Sequence, residues 1–491
     1  MVYIIGFSDS VHLVHGFQSA CNEGLSRRDA IVSMIKTVGP ACALTSLTTG
    51  VAFLSFFLAE LVPIKRFGMT CALGTLLTYV SVMVIVPMLL LTPLSTRIVP
   101  NRQQSMCIDS NKPSIVERLV ETLLNYSSWV FGLAVIFSAL LIWQSAKLHA
   151  DIRWTESLPI NSETREVVDA CDNTFGGSLP IHVVMTWPIE KTIRSQEPYR
   201  VLAEVHDLLN REEKIHEPFS IGNIANGIYK GNSWLDEFLR LPQYIQSRVI
   251  RPDLRKMLIT AKVPDAGAAA MEPTFLSIEH ELKNFERRYP GYKFELTGTA
   301  VVAARNVRLM IHDLAKSLAA TAIVVFIIMT LAFRSFRLGM ISVIPNAFPL
   351  LFAAGMISLS GKPLQIVAVL TFSISLGIAV DDTIHFMSRY QQLKKTGLTR
   401  RQSVTQTTCQ IGSILIVTSL VLVGGFVVMT ISNLPPLRTF GGLSSVALLA
   451  ALLADLTVLP AALVLFDRGT RNEMAPHSSR KKPSHETDVS G

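Results

Sequence analysis

Charged residues are scarce. They make up 17 % of the 491-residue chain, where soluble domains hold about 25 %, and the mean hydropathy is +0.39. An ordinary soluble enzyme is not expected, and disorder is excluded because so much apolar material must be buried. Paired cysteines are missing too. Cys21, Cys42, Cys71, Cys107, Cys171 and Cys409 form no C-x-x-C motif, so spacing supports neither a zinc site nor a redox pair. There is no nucleotide-binding loop, no metal-spaced His/Cys cluster and no nucleophile elbow. No enzyme, no cofactor and no ATP drive by this chain are therefore expected. The first residues lack the basic region and small-residue cleavage site of a signal peptide, and their apolar run carries Asp9, His12 and His15.

What the chain has is long hydrophobic runs. A helix crosses a bilayer with about 20 apolar residues, and runs of that length lie near 38–59, 67–92, 128–146, 317–333, 338–358, 364–388, 411–431 and 441–466. Residues 1–17 read as a ninth, shortened span. The net charge of +8 alone allows nucleic acid or an anionic membrane as partner; its placement favours the membrane. One set of loops and the tail carry nineteen basic residues, among them Arg27, Arg28, Arg334, Arg337, Arg389, Arg400 and Arg401. The opposite short loops carry four: Lys65, Arg66, Lys362 and Arg438. The basic set is read as cytoplasmic. The reading is then a multi-pass cytoplasmic-membrane protein with its C-terminus inside, and nucleic-acid binding is not expected.

The division that follows is 1–97, three spans of a first repeat; 98–127, a cytoplasmic linker with an amphipathic helix near 114–124; 128–147, one span; 148–315, an extracytoplasmic α/β domain; 316–466, a five-span bundle; and 467–491, a polar disordered tail. Within 148–315, Ser178–Pro188 and Tyr292–Thr297 read as strands and Glu197–Lys214 and Glu272–Tyr289 as amphipathic helices. Phe219 to Met257 reads as a helical insertion, and a helix from about Thr299 is read as running on into the next span.

Adding 373 to an early residue number lands on a matching late one. Asp9 pairs with Asp382, His12 with His385, Gly24-Leu25 with Gly397-Leu398 and Arg27-Arg28 with Arg400-Arg401. Thr45-Ser46-Leu47 pairs with Thr418-Ser419-Leu420, Pro63 with Pro436, Phe67-Gly68 with Phe440-Gly441 and Pro87 with Pro460. Both copies share one orientation, a parallel repeat of the kind that builds transporter halves with the working site between them. The second copy follows a span, a polar domain and two more spans, which the first copy lacks here. An N-terminally shortened chain is therefore expected, or a partner supplying the missing half.

Asp9, Asp381, Asp382 and Asp455 lie within apolar spans, where a central charge costs about 2.5–3.5 kcal/mol. Low dielectric and like-charge repulsion disfavour two ionised neighbours at Asp381-Asp382, which suits a proton carrier. His385 and His12 follow Asp382 and Asp9 by three residues, on the same helix face. Thr418 and Ser419, with Thr45 and Ser46, offer hydroxyls from the next span to orient a carboxylate or relay a proton, although small polar residues are also ordinary helix-packing material. Asp455 has Val82 at its repeat position and is as readily a structural hydrogen-bond partner as a functional acid. His15 reads as structural or interfacial. Gly377, Gly424-Gly425 and Gly441-Gly442 read as close-packing or hinge positions.

Gly377–His385 (GIAVDDTIH), the Gly-Leu-Thr-Arg-Arg loop after it and Pro460 resemble the resistance–nodulation–division superfamily, nearest the MMPL-type lipid exporters, with hopanoid-type, Patched and Niemann–Pick relatives. The resemblance implies split βαβ porter subdomains and export of hydrophobic or amphiphilic molecules driven by protons; a homo-oligomer is the alternative to a partner that supplies the missing half. It also implies that Asp381 and Asp382 are the relay carboxylates. In the first copy their positions hold Ser8 and Asp9, and Ile4 stands where the motif has Gly377. Two other readings stay open: a sterol- or lipid-sensing protein without turnover, and an inactive fragment.

Overall fold

The computed structural model describes residues 2–59, 62–93, 115–227, 234–240 and 242–467. Helix α1 (Val2–Asn22) is followed by α2 (Arg27–Thr37) and α3 (Gly39–Leu54), which a 3-10 turn (Ser55–Leu58) extends. Then come α4 (Val62–Leu91), the short α5 (Ile115–Asn125) and α6 (Ser127–Ser145). The α/β domain holds α7 (Glu163–Phe175), β1 (Leu179–Thr186), α8 (Gln196–Arg211) and β2 (His216–Phe219). After β2 come the short helices α9 (Ile221–Gly227), α10 (Trp234–Leu239) and α11 (Gln243–Gln246), then β3 (Ile250–Arg251), β4 (Lys256–Val263), α12 (Ala268–Arg288) and β5 (Lys293–Gly298). The last bundle is α13 (Thr299–Ala332), α14 (Phe336–Leu359), α15 (Ile366–Lys395), α16 (Arg400–Met429) and α17 (Pro435–Leu453). A π-turn (Ala454–Val458) leads on to α18 (Leu459–Phe466).

Eight helices among the described residues are long and apolar enough to cross a membrane; α2–α3 and α17–α18 each count as one continuous rod. Helix α1 is not among them, because Ser8, Asp9, Ser10, His12 and His15 break its apolar run. Helix α15 is the centre. Its most apolar stretch is 83 % buried, against 11 % for α4 and α6, and a helix enclosed on every side must find its polar partners inside the protein.

The repeat is written in the element bounds. Each copy opens with a helix ending at Asn22 or Lys395, and a second helix starts at Arg27 or Arg400. The turn between them needs a left-handed residue, supplied by Gly24 (φ 85°) and Gly397 (φ 89°). The next helix is capped by Ser26 on the Asp29 N–H in one copy and by Thr399 on the Gln402 N–H in the other. Farther along, a Cβ on Gly68 would collide with the carbonyl oxygen of Phe53, and one on Gly441 with that of Phe426. Phe53 packs edge-on to Phe67, and Phe426 does the same with Phe440.

The α/β domain is an antiparallel sheet in the order β2-β4-β1-β5, with β3 also on β4. Two βαβ units, β1-α8-β2 and β4-α12-β5, interleave so that each unit's strands are split by one of the other's. One sheet face buries Ile181, Val183 and Met185 with Met257, Ile259 and Ala261, against Val201 and Val205 of α8 and Phe275 and Ile278 of α12. The stretch expected to be a helical insertion is only partly so: its short helices give way to β3 and to the first residues of β4, a central strand. The tail beyond Asp467 and the linker stretch 94–114 lie outside the described residues, while α5 falls where the amphipathic helix was expected.

Two links join this domain to the bundle. Strand β5 passes directly into α13, whose Ser317 hydroxyl bonds Ser55 at 2.9 Å. Opposite, Ala150 bridges Leu364: the Leu364 N–H donates to His149 O at 2.8 Å, and the Asp151 N–H donates to Leu364 O at 3.4 Å. Gln365 also bonds Glu156. Helix α15 begins at the very next residue, Ile366.

Candidate functional site

The intramembrane acids converge where α1, α3, α15, α16 and the π-turn meet. Asp9, Asp381, Asp382 and Asp455 are all buried, and each has a hydroxyl partner. Ser419 of α16 donates to Asp382 Oδ2 at 2.8 Å. Thr49 of α3 reaches Asp381 Oδ1 at 3.2 Å and the Gly377 carbonyl at 3.0 Å. Thr383 donates to Asp455 Oδ1 at 2.7 Å and lies 3.5 Å from Asn346 Oδ1. In the first copy Thr45 and Ser46 approach the two oxygens of Asp9 only at 3.4 Å each, the long end of hydrogen bonding.

The Thr49–Asp381 bond joins the two repeats, since α3 belongs to the first and α15 to the second. It needs the helices close together. A Cβ on Gly377 would lie 2.8 Å from that of Ala52 on α3, so the glycine of the GxxxDD motif is what lets the hydroxyl reach across. The histidines meet at the same seam: the rings of His12 and His385 stack with centroids 3.7 Å apart and planes 3° from parallel.

Several sequence expectations are corrected here. Thr418 does not serve a carboxylate; its hydroxyl bonds back to the Ile414 and Leu415 carbonyls of its own helix. Gly424 and Gly442 meet nothing within 4 Å where a Cβ would stand, so they are not close-packing positions, whereas Gly377 and Gly441 are.

Thr49 and Thr383 were missed. The available signal for Thr49 was its i+4 spacing from Thr45, which extends a hydroxyl row along one face of α3; Leu422 at the matching position hid it from the repeat. Thr383 directly follows the acidic pair. Asp455 joins the site through it. The acid lies in a π-turn, a one-residue bulge frequent at functional sites, which turns this side chain toward α15.

The family profile described as MMPL family matches residues 10–108 and 158–486. The chain belongs to the MMPL family. It is 21 % identical over 319 residues to membrane protein MJ1562 of Methanocaldococcus jannaschii, covering 63 % of this chain and 82 % of the relative. It is 23 % identical over 174 residues to membrane protein YdfJ of Bacillus subtilis, covering 34 % of this chain and 24 % of that one. Among solved structures it is similar to SecDF in its super-membrane-facing form, with a TM-score of 0.54 and 13 % identity, covering 94 % of this chain. The chain spans about half of that SecDF chain, 53 %. Family and fold are those of a multi-pass membrane protein.

Proposed function

We propose that this protein couples proton movement through Asp381 and Asp382 to export of a lipid or similar amphiphile from the cytoplasmic membrane, with the C-terminus inside and the α/β domain outside. The observation that carries the reading is the Thr49–Asp381 contact across the repeat seam, beside Ser419 on Asp382. A carboxylate that loses its charge loosens the hydroxyl that holds it, since hydrogen bonds to ionised groups are the stronger ones. Protonation then releases α15 from α3 and α16. Its N-terminal end is bonded, through Leu364, to the segment at Ala150 that leads into the α/β domain, so a shift of α15 moves the domain. Coupling requires that the two arrangements bind the proton differently, and bonds from both repeats provide that difference.

The substrate class is supported by a groove of about 440 Å³ between α1 and α16. Phe7, Val11, Val14, Ile414 and Val417 line it together with the polar Ser10, His15, Gln18 and Ser413. That mixture suits an amphiphile.

The test is reconstitution in vesicles with a fluorescent single-chain phospholipid. Its movement is expected to need a pH gradient and to be lost in Asp382→Asn. Unchanged movement in that variant would sink the relay assignment. Saturable lipid binding that ignores the gradient would favour the lipid-sensing reading.

A further inference from the structure

We propose that Asp9, Cys42 and His385 form a binding site for one divalent cation of the zinc type, and that the bound ion clamps the two repeats together. One ligand atom from each residue lies within 4.8 Å of the other two. A tetrahedral zinc with bonds of about 2.0–2.3 Å holds its ligand atoms about 3.4–3.8 Å apart, so closing the site takes a side-chain adjustment of about 1 Å. All three side chains are enclosed: Asp9 is 4 % exposed, Cys42 0 % and His385 5 %. Asp9 comes from α1, Cys42 from α3 and His385 from α15, so a single ion would tie three helices across the seam.

The donor set selects the cation. A thiolate and an imidazole suit zinc and its transition-metal neighbours, whereas calcium and magnesium prefer oxygen alone. A cysteine ligates a metal as its thiolate, so the Cys42 S–H must part with its proton. Metal binding breaks that S–H bond, puts the ion in the proton's place and releases the proton. The product, one dication with one thiolate, one carboxylate and a neutral imidazole, carries no net charge, which a low-dielectric surrounding requires of a buried ionic group.

Among the described residues the site occurs once. The positions that match it in the repeat hold Asp382, Leu415 and His12, and leucine has no ligand atom. His12 stacks on His385 as the neighbour of the proposed ligand, and its Nε2 is buried without a partner. Cysteine spacing cannot reveal such a site, because residues 9, 42 and 385 belong to different spans; the expectation of no metal site rested on local motifs alone.

The binding claim stands on this geometry, while its effect on transport rests on the reading given under Proposed function. The full chain, purified in detergent micelles, is titrated with Co²⁺ as the optical stand-in for Zn²⁺. A thiolate-to-cobalt charge-transfer band is expected to saturate at one ion per chain, to be displaced by Zn²⁺ and not by Mg²⁺, and to be lost in both Cys42→Ala and His385→Gln. Each variant is compared with the parent by circular dichroism and melting temperature, and either folded variant alone decides. No saturable band, or a band that survives Cys42→Ala, overturns the proposal. In vesicles, Zn²⁺ is expected to stop lipid movement by the parent but not by Cys42→Ala. If the parent moves no lipid at all, the transport reading fails while the cobalt band still decides the site.

Discussion

The two copies of the repeat keep the same scaffold and differ in chemistry. In the first, α1 carries one carboxylate, Asp9, approached by two hydroxyls at 3.4 Å. In the second, α15 carries two, each with a hydroxyl at 2.8 or 3.2 Å, and a third acid, Asp455, faces the same helix through Thr383. Ser8, Val82 and Leu422 stand in the first-copy and second-copy positions matching Asp381, Asp455 and Thr49. Yet the left-handed glycines, the helix caps and the two glycines pressed against phenylalanine carbonyls recur at the same spacing. Steric demands on the backbone leave one residue type admissible at such points, whereas a buried acid is costly and survives only where something uses it.

The comparison can be broken most forcefully at the acids. In metal-free vesicles, Asp382→Asn is expected to lose gradient-driven lipid movement by at least about 5-fold more than Asp9→Asn, the low end of ordinary coupling energies; equal losses would mean that both copies carry protons. The shared scaffold is probed next. Gly68→Ala and Gly441→Ala each force a Cβ onto a backbone oxygen, and each is expected to destabilise by about 1–3 kcal/mol, read as a lowered melting temperature in detergent. Clearly unequal shifts would show that one helix pair relaxes where the other cannot. Gly24→Ala and Gly397→Ala are expected to cost about 1–2 kcal/mol each, the left-handed penalty of an L-residue, again equal in the two copies. The smallest effect separates the hydroxyls: Ser419→Ala is expected to cost about 1 kcal/mol as the loss of a formed hydrogen bond. Ser46→Ala, with its bond already stretched, is expected to cost a few tenths.

The membrane architecture was legible because it depends on composition over whole segments. Runs of some 20 apolar residues survive any error in local reading, and the 373-residue offset fixed the order of helices in both copies. The site was legible where chemistry and repeat coincide, as at Asp382 and Ser419. It was not legible where partners come from different copies: Thr49 meets Asp381, and Cys42 lies within 4.8 Å of His385, by virtue of packing that no local pattern encodes. Thr418 misled for the opposite reason. Its repeat with Thr45 is genuine, but a threonine hydroxyl inside a helix has a carbonyl of its own within reach. In the α/β domain, β4 was lost because the short helices ahead of it concealed an alternating stretch, Met257, Ile259, Ala261 and Val263, whose buried face is clear once its two neighbours are placed.

The bridge between Ala150 and Leu364 is made of main-chain atoms alone. A main-chain joint reads no side chain, so the surfaces on either side can drift in sequence without breaking this bridge between the domain and the helix that carries the acids.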